Sequence, residues 1–91
     1  EELLKKDLWT AERAVLRLTK VPLEDNQFDA LVSFCFNLGS GAYQRSTLRA
    51  RINRGDFDEV PTELKKWVYA GNRIIKGLLR RRIAEAIMFM S

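Results

Sequence analysis

The stretch QFDALVSFCFNLGSGAYQRSTL, residues 27–48, constrains the fold more than any other part of the chain. Its first half puts Ala30, Leu31, Val32, Phe34, Cys35, Phe36 and Leu38 on every side of a helix. A helix that is apolar all round belongs inside a core, with other elements covering each face. The residues on either side must therefore supply amphipathic helices. Asp25 or Asn26 is placed to cap its start. Gly39 suits a left-handed helix end, and Gly41 keeps the following turn permissive.

The flanks carry the required pattern. Residues 1–19 place Leu3, Leu4, Leu8, Ala11, Val15 and Leu18 at three-to-four spacing, with Glu1 and Glu2 where a helix N-terminus favours negative charge. Val21-Pro22 breaks that helix. After the spine, Ser46 predicts the N-cap of a short helix to Asn53, ended by Gly55. Asp56 is placed to cap a further helix with Phe57, Val60, Leu64, Trp67 and Val68 as its apolar stripe. Pro61 requires that helix to start near Val60 or to bend there. Ala70-Gly71-Asn72 reads as a loop, and Gly77 closes a second. Residues 78–89 read as a basic amphipathic helix with Leu79, Ile83, Ala86 and Ile87 inward. No strand pattern, repeat or linker is visible. The expectation is one all-α domain over residues 1–91, with about five helices around a buried central one.

Composition limits the chemistry. With 46% hydrophobic residues the 91-residue chain is a folded domain, not a disordered tail. Sixteen Lys and Arg against 12 Asp and Glu leave a net charge of +4. That surplus favours nucleic acid, anionic lipid or an anionic wall polymer, and is equally consistent with a plain solvated surface. The absence of a helix-turn-helix, RNA-binding sheet or basic zipper argues against nucleic acid. With no histidine and the single Cys35, ordinary zinc sites and Cys-His or Ser-His-Asp chemistry are excluded, so no metal or cofactor is expected. Cys35 reads as a small buried hydrophobe. Residues 28–38 are too short to cross a bilayer and are interrupted by Asp29 and Ser33. Glu24-Asp25 and Asp58-Glu59 read as helix-start charges with no sign of a shared pocket.

Two longer stretches are specific in their order: NQFDALVSFCFNLGSGAYQRSTLRARINRGDF and KKWVYAGNRIIKGLLRRRIAEAIMF. With the opening EELLKKDL they resemble the C-terminal helical lobe of the phage-type lysozymes, or endolysins, over essentially the whole chain. The resemblance implies a lysozyme-like α+β fold of which this chain is the helical lobe. It implies a muramidase that hydrolyses the bond between N-acetylmuramic acid and N-acetylglucosamine in peptidoglycan. It also implies a bacterial host, in cytoplasm or periplasm, with action at the cell wall. By the same resemblance Phe36, Asn37, Ser46 and Thr47 match cleft-side, substrate-binding positions, and Glu63 falls near another. The family's catalytic Glu, Asp and Thr have no counterpart after Glu1, so no residue here is given a catalytic role. The expectation is a fragment, inactive alone, whose partners are peptidoglycan, the absent N-terminal lobe and, through its uncovered surface, a second copy of itself.

Several residues admit two readings. Phe36 is a core residue or a sugar contact, and Asn37 a helix-end cap or an amide for a glycan. Ser46-Thr47 is an N-cap first and a sugar contact second. Trp67 and Tyr69 form a carbohydrate platform, or Trp67 joins the core. Trp9 stands off the first stripe and is expected to face the absent lobe. Arg80, Arg81 and Arg82 wrap round a helix, so at least one must pair with the body of the domain. The competing function is a non-enzymatic helical module that binds glycan or a partner.

Overall fold

A computed structural model of the chain describes the backbone of residues 2–91 and the side chains of residues 8–91. The expectations for Glu1, Glu2, Leu3 and Leu4 lie outside the described residues and side chains. The apolar run forms the helix α2 (Asp25–Leu38), preceded by α1 (Glu2–Leu18). A capping box starts α2: the Glu24 N–H donates to Gln27 Oε1 at 2.9 Å. The N-cap is thus Glu24 and not Asp25 or Asn26. Asn26 is used elsewhere, its Nδ2 donating to the carbonyls of Met88, Phe89 and Ser91 at 3.0, 3.1 and 3.2 Å. That contact ties the far end of the chain to the start of the spine.

Helix α2 lies between α1 and the final helix α6 (Lys76–Met90). It buries Ala30, Leu31, Val32, Phe34 and Cys35, while α1 contributes Ala11, Ala14, Val15 and Leu18 to the same core. The cover is incomplete at Phe36, which shares an exposed face with Asp29, two helical turns back. Gly39 ends α2 with φ +99°, a region that only glycine enters without strain. The chain then re-enters a helix at once, α3 (Ser40–Gln44), so Gly41 sits inside a helix and not in an open turn. Tyr43 of α3 is fully buried, edge-on to Phe34, and its hydroxyl shares a 2.6 Å hydrogen bond with Thr19 Oγ1.

Ser46 caps α4 (Thr47–Asn53) as its type predicts: the Arg49 N–H donates to Ser46 Oγ at 3.0 Å. In turn α4 closes the end of α1, where Arg49 Nε and Asn53 Nδ2 donate to the Leu18 carbonyl at 2.9 and 3.1 Å. Helix-end carbonyls have no partner within their own helix, and here another helix supplies them. A 3-10 turn (Phe57–Glu59) leads into α5 (Val60–Leu64), with Pro61 in the first turn where a missing N–H costs nothing. Because α5 stops at Leu64, Trp67 and Val68 lie beyond it.

The chain is mostly helical but not all-α. Strands β1 (Tyr69–Ala70) and β2 (Arg73–Ile74) form an antiparallel hairpin, with Tyr69 opposite Ile74 and Ala70 opposite Arg73. Strands of two residues are too short to show an alternating pattern. Of the expected loop Ala70-Gly71-Asn72, Ala70 belongs to β1 and Gly71-Asn72 make the hairpin's turn, with Gly71 at φ +65°. Among the described residues there are six α-helices where about five were expected. Helix α6 takes Gly77 into its first turn, and its inward face is Arg82, Glu85, Ala86 and Phe89. Ile83 and Ile87, expected inward, are exposed. The polar groups that α2 turns toward α6 account for this register.

Candidate functional site

Consecutive residues on a helix point about 100° apart, so Phe36 and Asn37 leave the end of α2 in different directions. Phe36 is 40% exposed and lines a shallow hollow with Thr10, Ala11, Gly39 and Ser40. Asn37 is half-buried and turns toward α6, where its Oδ1 accepts a hydrogen bond from Arg82 Nη2 at 3.0 Å. Arg82 is 0% exposed. Its Nε lies 2.8 Å from Glu85 Oε1, and its Nη2 donates to Glu85 Oε2 at 2.9 Å. Ser33 Oγ donates to the same Oε2 at 2.6 Å, and the Phe34 ring lies 5.4 Å from the guanidinium carbon.

A buried charge persists only where it is paired and hydrogen-bonded. Ser33 and Asn37 stand one turn apart on α2, and Arg82 and Glu85 three residues apart on α6. Polar stripe meets polar stripe, which sets the rotation of α6. Sequence reasoning missed Ser33, Arg82 and Glu85 as a group. The signal was the R-x-x-E spacing within RRRIAE, together with the requirement that one of the three arginines pair with the body. That one is Arg82; Arg80 and Arg81 are exposed.

Ser46 is buried and Thr47, the first residue of α4, is exposed. Ser46 Oγ is committed locally, accepting from Arg49 and donating to the Tyr43 carbonyl at 2.7 Å. Ser46 lines a hollow with Gln44, Arg45, Arg49, Ala50 and Asn53, separate from the one at Phe36. The hollow at Phe36 is not lined by Asn37, and the hollow at Ser46 is not lined by Thr47, so these two hollows do not bring the four candidates together.

The other candidates resolve as follows. Trp67 is half-buried and edge-on to Phe34 at 5.4 Å, while Tyr69 is exposed on the hairpin. Trp9 is exposed, with the Arg13 guanidinium 4.9 Å above its ring. Burial and then the charge of Glu85 push the Cys35 thiol up to about 12, so it stays protonated and unreactive at neutral pH. Glu63 is buried on α5, 3.1 Å from Lys66 Nζ and 3.7 Å from Arg51 Nε. Asp58 and Glu59 do share a hollow, with Asp56 and Arg51, against the expectation of none. Both are exposed charges in the first turn of the 3-10 segment. Among the described residues, no three His, Cys, Asp or Glu side chains gather as they would round a metal ion. No described helix is long and apolar enough to cross a membrane.

A family profile described as phage lysozyme matches residues 1–85. An endolysin of Bacillus phage B103 is 40% identical over 91 residues, covering all of this chain and 35% of that protein. A SAR-endolysin of Bacteriophage PS119 is 41% identical over 83 residues, covering 91% of this chain and 50% of that protein. The solved muramidase domain of SpmX from Asticaccaulis excentricus superposes with a TM-score of 0.92 at 38% identity, covering 99% of this chain and 64% of that one. This chain therefore spans between a third and a half of the length of those two endolysins.

Proposed function

The chain belongs to the phage lysozyme family, and from that premise we propose that it is the helical lobe of a peptidoglycan-hydrolysing endolysin. The whole protein is a muramidase that cleaves between N-acetylmuramic acid and N-acetylglucosamine. This lobe supplies one wall of the saccharide cleft, with Phe36, Asn37 and Thr47 toward the glycan and Ser46 holding the start of α4. The observation that carries the reading is Phe36: a large apolar ring left 40% exposed at the end of the spine helix, lining a hollow with Thr10, Ala11, Gly39 and Ser40. An exposed aromatic face suits the apolar ring face of a sugar, and the Asn37 amide, turned toward α6, offers a polar contact on another side of the same helix end.

The division of labour follows from what glycoside cleavage requires. One group must donate a proton to the leaving oxygen, and a second must support the positive charge that develops on the sugar. In this reading both stand on the other lobe. The present chain holds and orients the glycan so that those groups meet it in a productive geometry, a contribution that lowers the barrier through positioning. The isolated chain is then inactive. A turbidity assay on purified cell walls tests this. The isolated chain should leave the suspension unchanged, and clear lysis by it would return catalysis to carboxylates of this lobe.

A further inference from the structure

The link between Asn37 and Arg82 has a directional consequence. An asparagine amide offers an acceptor, Oδ1, on one side and a two-proton donor, Nδ2, on the other. Left free, it can turn over and present either to a ligand. A guanidinium only donates, so Arg82 can bond Asn37 through Oδ1 alone, as it does at 3.0 Å. The opposite orientation would set Nδ2 against Arg82, donor against donor, and is excluded.

Arg82 is closely held, although its Nη1 is buried without a hydrogen-bond partner among the described residues. It is fully buried, held through Nε and Nη2 by Glu85, with Ser33 fixing that carboxylate and Phe34 beside the guanidinium. Asn37 Nδ2, by contrast, has no hydrogen-bond partner and is not buried, among the described residues. From these contacts we infer that Arg82 is a positioning residue for glycan recognition. It fixes the Asn37 amide with Nδ2 turned outward, so the site selects an oxygen acceptor on the sugar, such as an acetamido carbonyl or a hydroxyl oxygen. This rests on the cleft reading above and adds to it the polarity of the contact and the group that sets it.

The test uses the chain labelled with nitrogen-15 and a soluble tetrasaccharide of alternating N-acetylglucosamine and N-acetylmuramic acid. The Asn37 side-chain NH2 resonances should form one sharp pair that shifts on titration. Asn37→Asp keeps an oxygen for Arg82 and loses the donor. It should melt as the parent does and bind the tetrasaccharide about five- to tenfold more weakly, the worth of one hydrogen bond. The double change Arg82→Leu with Glu85→Leu removes the guanidinium that fixes Asn37 Oδ1, so it should move the NH2 pair toward the shifts of an unconstrained amide and weaken binding similarly. Parent-like affinity in Asn37→Asp would overturn the inference, because Asn37 would then serve only as an acceptor for Arg82. If Phe36→Ala weakens binding while Asn37→Asp does not, the positioning role falls and the cleft reading stands. If neither Phe36 nor Asn37 resonances respond to the sugar, the cleft reading falls and takes the positioning role with it.

Discussion

Arg82 and Glu85, three residues apart on α6, meet at 2.8 Å with relative exposures of 0% and 2%. Such a pair is weak as a source of stability but severe when broken, because the survivor is left charged and dry. Glu85→Leu should therefore cost about 3–5 kcal/mol, read from urea unfolding. The double change Arg82→Leu with Glu85→Leu should recover most of that loss. A shift below about 1 kcal/mol for Glu85→Leu would mean that water or another anion reaches Arg82.

The spine should dominate stability. Leu31 is fully buried near the middle of α2, between α1 and α6. Leu31→Ala should cost about 2–5 kcal/mol through lost burial and a residual cavity, a range drawn in part from a related phage lysozyme. A change under about 0.5 kcal/mol would remove Leu31 from the core.

Stability should fall on the alkaline side. Burial raises Tyr43 from 10.0 to about 12 and Cys35 from 9.0 to about 12. Both folded values lie above the unfolded ones, so the unfolded chain releases protons first as pH rises. The stabilisation is complete below the unfolded values and is lost progressively from about pH 9 toward pH 12. Urea midpoints taken between neutral pH and about pH 11 should decline, and Cys35→Ala should remove the earliest part of the decline. A midpoint that climbs over this range would reverse the sign and contradict the burial argument.

The surface charge should act by field and not by contact. Arg80 and Arg81 are exposed at one end of α6, whereas Arg82 belongs to the interior. Cell-wall polymers are polyanionic in many bacteria, and attraction between exposed charges is screened over about 8 Å at physiological salt. Pull-down of the chain with purified wall should weaken as salt rises, and Arg80→Gln with Arg81→Gln should reduce the low-salt component. Retention unaffected by salt would assign wall binding to short-range sugar contacts alone. Stronger capture by double-stranded DNA at matched salt would favour nucleic acid instead.

The elements that depend on local chemistry were legible in the sequence. Ser46 capped the helix its type predicts, Pro61 fell in a first turn, and the apolar run became the spine. The misses share one cause: tertiary partners overrode a local pattern. The apolar positions Leu79, Ile83, Ala86 and Ile87 define a plausible inward stripe for α6. The helix instead turns Arg82 and Glu85 inward, where they pair with each other and meet Ser33, Asn37 and Phe34. That compensation involves residues some 45 to 52 positions distant, which no window on α6 contains. The hairpin was invisible for a different reason, since two residues per strand carry no period. Of the candidate site, Phe36, Asn37, Ser46 and Thr47 were named through the resemblance to the phage-type lysozymes, since residue type alone equally suits a core ring and a helix-end amide. The fixed direction of the Asn37 amide required the fold.

We propose that the end of α2 is a working part of a glycan-cleaving cleft. To test this, the matching stretch of the Bacillus phage B103 endolysin, 35% of that protein, is replaced by this chain, and the clearing of purified peptidoglycan by the joined protein is followed. The expected result is lysis by the joined protein and none by the isolated chain. Asn37→Ala and Phe36→Ala in the joined protein should each lower the rate about tenfold or more, since each removes a contact that orients the sugar; Asn37→Ala should also lower the melting temperature, because the buried Arg82 loses an acceptor. A joined protein that clears the wall equally well with both residues changed would contradict the claim.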